Sequence, residues 1–309
     1  MDTNKNKDQV PDARIHHTAI WTGTEMIVWG GGNATRGVLG DGGHYNPTLD
    51  SWQPVGTTGA PEARQEHTAV WTGQEMIIWG GKNNARSIKS GGRYNPITKR
   101  WSEVTLTNAP TERRAHTAVW TGQFMIVWGG VGDRDVLQTG GVYDPRTNTW
   151  KATNLMNAPA ARTEHTAIWT GQEMIIWGGR GASGALNDGA RYNPTTDTWT
   201  AITTNNAPTA RGNHTAVWTG REMIVWGGSS GAAFLSTGGR YDPVTNQWRS
   251  TSMMGVPSDR ELHCAIWTGR EMIVWGGFGP RALCRPPLPC IMALQTGALY
   301  RPDLDMGTP

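Results

Sequence analysis

The sequence predicts an all-β propeller of six blades, each of four antiparallel strands, forming a single domain over residues 1–309. Three observations predict it. The segment ARQEHTAVWTGQEMIIWGG, which begins at Ala63, recurs through the chain, and its histidine returns as His17, His67, His116, His165, His214 and His263. Within each period, short β-branched and aromatic runs are broken by Gly, Pro and Asn-Pro, and no helical periodicity is sustained. All 17 tryptophans and all six tyrosines fall at repeat positions. A lone four-stranded sheet has two faces to bury, and stacking such sheets around an axis covers both.

The strands follow in order. HTAVW is β-branched and aromatic and closes on a Thr-Gly turn. EMIIW is apolar and ends at Gly-Gly; a variable loop then leads to GGRYNP, which carries the repeat's tyrosine. The last strand centres on Trp101 in TKRWSEV. Blade six is expected to have a poorly specified fourth strand, because Gly307 stands where its tryptophan belongs, and Asp2 stands in the equivalent place before blade one. An insertion peculiar to blade six sets Cys284 and Cys290 either side of RPPLP. A small disulfide there, and hence an extracytoplasmic compartment, is the expectation. Cys264 replaces the threonine of HTA in a core strand and is expected to be a small buried residue.

The Gly-Gly after a hydrophobic strand, the tyrosine about thirteen residues later and the tryptophan seven beyond it, preceded by AP-x-x-R-x-x-H, resemble the kelch repeat. The resemblance covers essentially the whole chain, and its relatives include bacterial kelch proteins and the central domain of galactose-oxidase-like enzymes. It implies the propeller. Function is left open by it, since kelch propellers include adaptor modules, sugar oxidases, sialic-acid epimerases and nitrile-specifier proteins.

A net charge of +3, with basic residues spread through the repeats, argues against binding nucleic acid by a basic face. No apolar run approaches the length of a membrane span. No leader precedes the first repeat; a secretion signal is expected to have been trimmed. A monomer without cofactor or metal is expected.

The repeat separates scaffold from candidates. Six equivalent histidines are best explained as strand-one residues bonded to a neighbouring loop, rather than as a metal ring. Glu66–His67 and Glu164–His165 point to opposite faces of a strand and cannot act as dyads. A copper-radical site needs spare tyrosines, and every tyrosine belongs to the repeat; only His16 and His44 lie outside the repeated histidine position. No loop gathers Glu, Asp and His for non-haem iron. A stacking platform for sugars or bases also lacks material, since only Phe124, Phe234 and Phe278 are aromatics outside the repeat.

What varies between blades is the loop after strand two, led by Asp133, Arg134 and Asp135, and the positions between Arg and His, which hold Glu66, Arg114, Glu164, Asn213 and Glu261. The arginine before strand one recurs as Arg14, Arg64, Arg113, Arg162, Arg211 and Arg260. Such a ring either braces loop carbonyls or forms a cationic funnel at the channel mouth. The leading expectation is a binding module that takes an anionic or polar ligand there: a small molecule, an acidic peptide or a sugar. An enzyme acting on a small carbohydrate through Glu66, Glu164 or Glu261 is the alternative, as is a structural repeat domain of a larger surface protein.

Overall fold

The computed structural model describes residues 9–231, 233–280 and 291–304. The chain is all-β and forms six propeller blades; a short 3₁₀ turn at Pro302–Leu304 interrupts the strand pattern. The chain divides into two compact units, Met1–Thr153 and Asn154–Pro309, each holding three blades.

In the first unit, blade one is Thr18–Trp21, Met26–Trp29, Gly42–Asn46 and Ser51–Pro54. Blade two is Thr68–Trp71, Met76–Trp79, Gly91–Asn95 and Arg100–Glu103. Blade three is Thr117–Trp120, Met125–Trp128, Gly140–Asp144 and Thr149–Ala152. Each is an antiparallel meander in chain order. The second unit repeats the plan in blades four and five, whose first strands are Thr166–Trp169 and Thr215–Trp218. Among the described residues blade six has three strands, Cys264–Trp267, Met272–Trp275 and Gly297–Tyr300. Asp2 and Gly307 lie outside the described residues, as do Cys284 and Cys290 with the disulfide expected of them.

Strand two explains its own composition. It reads Met-Ile-Ile-Trp or Met-Ile-Val-Trp, and all four residues are buried in blades two to five because the sheet is covered on both faces. The turns on either side are encoded locally. In Thr-Gly, the Thr72 hydroxyl accepts the amides of Gln74 and Glu75, and Gly73 takes a left-handed φ of 95°. In Asn-Pro, the Asn95 side chain accepts the amides of Ile97 and Thr98. Gly-Gly is obligatory on two counts. Gly80 and Gly81 both have positive φ, and a Cβ on Gly80 would meet the Arg113 carbonyl and the His116 ring at 2.6 Å.

The repeated histidine joins neighbouring blades within each unit. His67 Nε2 lies 2.8 Å from Thr18 Oγ1 of the preceding blade, and its ring meets Trp29 edge-on with centroids 5.3 Å apart. His214 and His263 do the same with Thr166 and Thr215 in the second unit. Burial, with the adjacent arginine second, lowers the His67 pKa to about 3 and that of His263 to about 4, so these imidazoles are neutral.

One expectation is corrected here. Cys264 is exposed rather than buried. The face of blade six that carries it also exposes Ile266 and Trp275, each 59 % accessible, whereas the equivalent Trp226 of blade five is 5 % accessible against His263. The residue type suits a covered strand, but among the described residues nothing covers it.

Candidate functional site

The structure puts the repeated arginines in the bracing role. Arg64 donates from Nε to Glu62 O at 3.0 Å, from Nη1 to Gly80 O at 3.0 Å and Ser90 O at 2.6 Å, and from Nη2 to Ser90 Oγ at 2.9 Å. Arg113, Arg162, Arg211 and Arg260 repeat the pattern, each tying the link before strand one to the Gly-Gly carbonyl of its own blade. All five are fully buried, so none stands open to a ligand as a funnel would require. Burial lowers Arg64, Arg113 and Arg211 to about 10, which leaves them charged at neutral pH and held by oriented carbonyl dipoles.

The residue just before each repeated histidine behaves differently. His16, Glu66 and Ala115 in the first unit, and Glu164, Asn213 and Leu262 in the second, all adopt left-handed φ between 49° and 57°. Backbone bonds link them blade to blade: Glu66 N to His16 O and Ala115 N to Glu66 O at 3.1 Å, and Asn213 N to Glu164 O and Leu262 N to Asn213 O at 3.1 Å. Glu, Ala and Leu have no side-chain reason to prefer this region, so the inter-blade bonds impose it.

Two polar networks hang on these belts. In the first unit the Glu66 carboxylate receives Lys82 Nζ at 2.7 Å and Arg114 Nε at 3.5 Å. Arg114 Nη1 also donates to Ser87 Oγ at 2.9 Å, and the Ser87 amide donates to Asp133 Oδ1 at 2.7 Å. That amide holds the Asp133 carboxyl below the usual carboxylate range. In the second unit Arg180 Nε meets Glu164 Oε2 at 2.7 Å, and Arg180 Nη2 donates to Ser229 Oγ at 2.9 Å. Glu261 Oε2 then accepts from Ser229 Oγ at 2.6 Å and from Asn213 Nδ2 at 3.1 Å.

Of the residues expected from sequence, Glu66, Arg114 and Asp133 thus come together, as do Glu164, Asn213 and Glu261. Arg134 and Asp135 are exposed on their loop and take no part in the network. Lys82, Ser87 and Ser229 are the residues the sequence reading missed. The signal was available: the position after Gly-Gly holds Lys82, Val131, Arg180, Ser229 and Phe278, varying inside a constant frame. Backbone bridges pair it with the residue after the repeated arginine, as in Gln65 with Lys82 and Thr163 with Arg180, which carries its side chain to the belt.

This frame of blades, buried arginines and joining histidines finds its counterpart among protein families. The model of the KLHDC2/KLHL20/DRC7 kelch-repeats domain matches residues 1–157 and, overlapping them, 93–277. The chain belongs to the kelch-repeat family. No curated protein matches it. The arginine, histidine, Gly-Gly, tyrosine and tryptophan recur through the blades, whereas Lys82, Glu66 and Arg114 each occur at a position that varies between them. A kelch propeller is typically a protein-binding module, and no helix among the described residues is long and apolar enough to cross a membrane.

Proposed function

We propose that this kelch propeller holds an acidic segment of a partner protein at the belt of its first unit, with Lys82 and Arg114 taking a partner carboxylate. The observation that carries the reading is the convergence of these two cations on the one carboxylate of Glu66. Lys82 and Arg114 are each 32 % exposed, so both keep donors facing solvent while Glu66, at 19 %, fixes their positions. A half-desolvated pair of donors held in place binds a carboxylate better than two mobile surface lysines, because the side-chain entropy is already lost. The carboxylate of an acidic sugar has the same chemistry, and the test separates the two.

Binding of a fluorescein-labelled glutamate-rich peptide, followed by anisotropy, tests it. Lys82→Ala and Arg114→Ala should each weaken binding about tenfold or more, as loss of a charge-assisted hydrogen bond costs about 1.5–3 kcal/mol. Glu66→Gln removes a competing carboxylate and should leave binding intact or tighten it. Peptide binding that is absent or indifferent to both cations sinks the proposal; saturable binding of an oligouronate alone would move the ligand class to sugar acids.

A further inference from the structure

We propose a second, separate class of site: the grooves between blades one, two and three at the Thr-Gly turns bind neutral carbohydrate, with Trp120 and Trp71 as stacking platforms. They lie at the opposite end of the blades from the Glu66 belt, since strand one ends where the loop after strand two does not.

The tryptophans of this chain are not equivalent. Those of strand two are fully buried in the first unit, and those of strand four in blades two and three are anchored, Trp101 Nε1 to Gly56 O at 2.8 Å and Trp150 Nε1 to Thr105 O at 3.1 Å. The tryptophan that ends strand one is neither. Trp120 packs on the core cluster of blades two and three and also lines a groove of about 610 Å³ between them. Its ring is therefore held by the core while part of it stays open. The volume falls within the range of about 300–1,000 Å³ typical of small-ligand clefts.

The other walls decide the ligand class. Gln74 and Gln123 are exposed at the groove, and among the described residues neither side-chain amide has a hydrogen-bond partner. The charges are already matched: Arg93 faces Glu75 at 3.7 Å and donates to Pro145 O at 2.6 Å, while Arg146 is paired with Asp144 at 3.0 Å. A groove with no net charge, free primary amides and a fixed aromatic face suits a ligand with adjacent hydroxyls on its edges and a C–H face. That is a neutral sugar ring. Amides bridge vicinal hydroxyls, and an aromatic ring takes the apolar face of the pyranose.

A related groove lies one blade earlier, with Thr24 in place of the second glutamine and Glu25 facing His44 rather than an arginine. Between blades one and two a groove of about 470 Å³ is lined by Trp71, Gln74, Thr24 and Glu25, so Gln74 borders both grooves. Two weak sites a blade apart would favour an oligosaccharide over a monosaccharide by raising the effective concentration at the second site.

A glycan array of neutral oligosaccharides, followed by isothermal titration of the best binder, tests the proposal. Wild-type protein should bind at least one neutral oligosaccharide, and saturation-transfer NMR should place the irradiated aromatic signal on the protons of one sugar face. Trp120→Ala should weaken binding at least tenfold, and Trp120→Phe should retain part of it. Should Trp120→Ala fail to fold, the double variant Gln74→Ala/Gln123→Ala alters only exposed side chains and should show the same loss. Lys82→Ala should bind sugar as the wild type does. Failure to bind any neutral glycan overturns the proposal, as does binding restricted to acidic glycans, or binding unchanged in both the tryptophan and the glutamine variants.

Discussion

Arg113 and His67 show what a repeated residue does in this molecule. The Arg113 guanidinium reaches the carbonyls of Thr111, Gly129 and Thr139 and the Thr139 hydroxyl, all within 3.1 Å. Removing it orphans buried carbonyls, each at about 1–3 kcal/mol. Arg113→Ala should therefore lower the melting temperature by several degrees, and Arg113→Lys should not rescue it, because one ammonium cannot span carbonyls set for a planar fork. Thermal denaturation checks both. The histidines give a pH signature. Burial lowers the pKa of His67 to about 3 and of His263 to about 4, and takes that of His214 well below its ordinary 6.5. The unfolded chain then binds more protons than the folded one below pH 6.5, so stability is full above that value and falls as pH drops toward 4. Urea titrations across this window should show uptake of more than two protons on unfolding; pH-independent stability between 6.5 and 4.5 would contradict the buried neutral imidazoles. The sequence made the sixfold Arg and His legible as scaffold candidates by their recurrence alone. It left their burial open, because the same polar side chain serves as readily at a solvent-filled mouth as inside.

At the level of the strand, the blades carry an exchangeable device. Glu222, buried, meets Arg240 Nη2 at 2.7 Å in blade five, and Glu173 meets Arg191 at 3.2 Å in blade four. Blade three holds Phe124 and Val142 at these positions, an apolar pair in the same register. Arg240→Val alone leaves a buried carboxylate unpaired, at about 3–5 kcal/mol. Glu222→Phe/Arg240→Val should recover most of that loss, since blade three already folds this way; a double variant no better than the single would refute the equivalence. Phe124 thus stands in the register position that blades four and five give to the carboxylate of an ion pair, whereas the sequence alone shows it only as an aromatic outside the repeat. Strand identity, turn chemistry and blade number were legible because period, Thr-Gly and Asn-Pro are local signals. Exposure was not. Trp120 reads as core by its type, and Cys264 as buried by its strand, yet each is decided by what lies across the sheet. Native protein should accordingly react with a thiol reagent at Cys264, and amides of blade six should exchange before those of blades four and five. Protection of that thiol until unfolding would show that its face is covered in solution.

Over the whole chain, labour is divided between positions that repeat and positions that vary. Identical residues in every blade fix backbone carbonyls, turns and inter-blade contacts, so a change at one blade leaves the others' frame intact. Variable residues project from that frame at the Glu66 belt at one end of the blades, while at the other end the repeated strand-one tryptophan is joined by residues that change from blade to blade, such as Thr24, Gln123 and Arg221. With a net charge of only +3, the proposed attraction of an acidic segment would rest on the local pair of cations, and added salt should weaken binding of the glutamate-rich peptide without abolishing it. The most direct test uses two neighbours. Arg113 is a frame residue and Arg114 a variable one, adjacent in sequence and alike in chemistry. Melting temperature and affinity for the glutamate-rich peptide are measured for Arg113→Ala and Arg114→Ala side by side. Arg113→Ala should lose several degrees of melting temperature and, while folded, keep its affinity. Arg114→Ala should keep its melting temperature and lose affinity about tenfold or more. The reverse pattern, with binding lost at Arg113 and stability at Arg114, would contradict the division between frame and site.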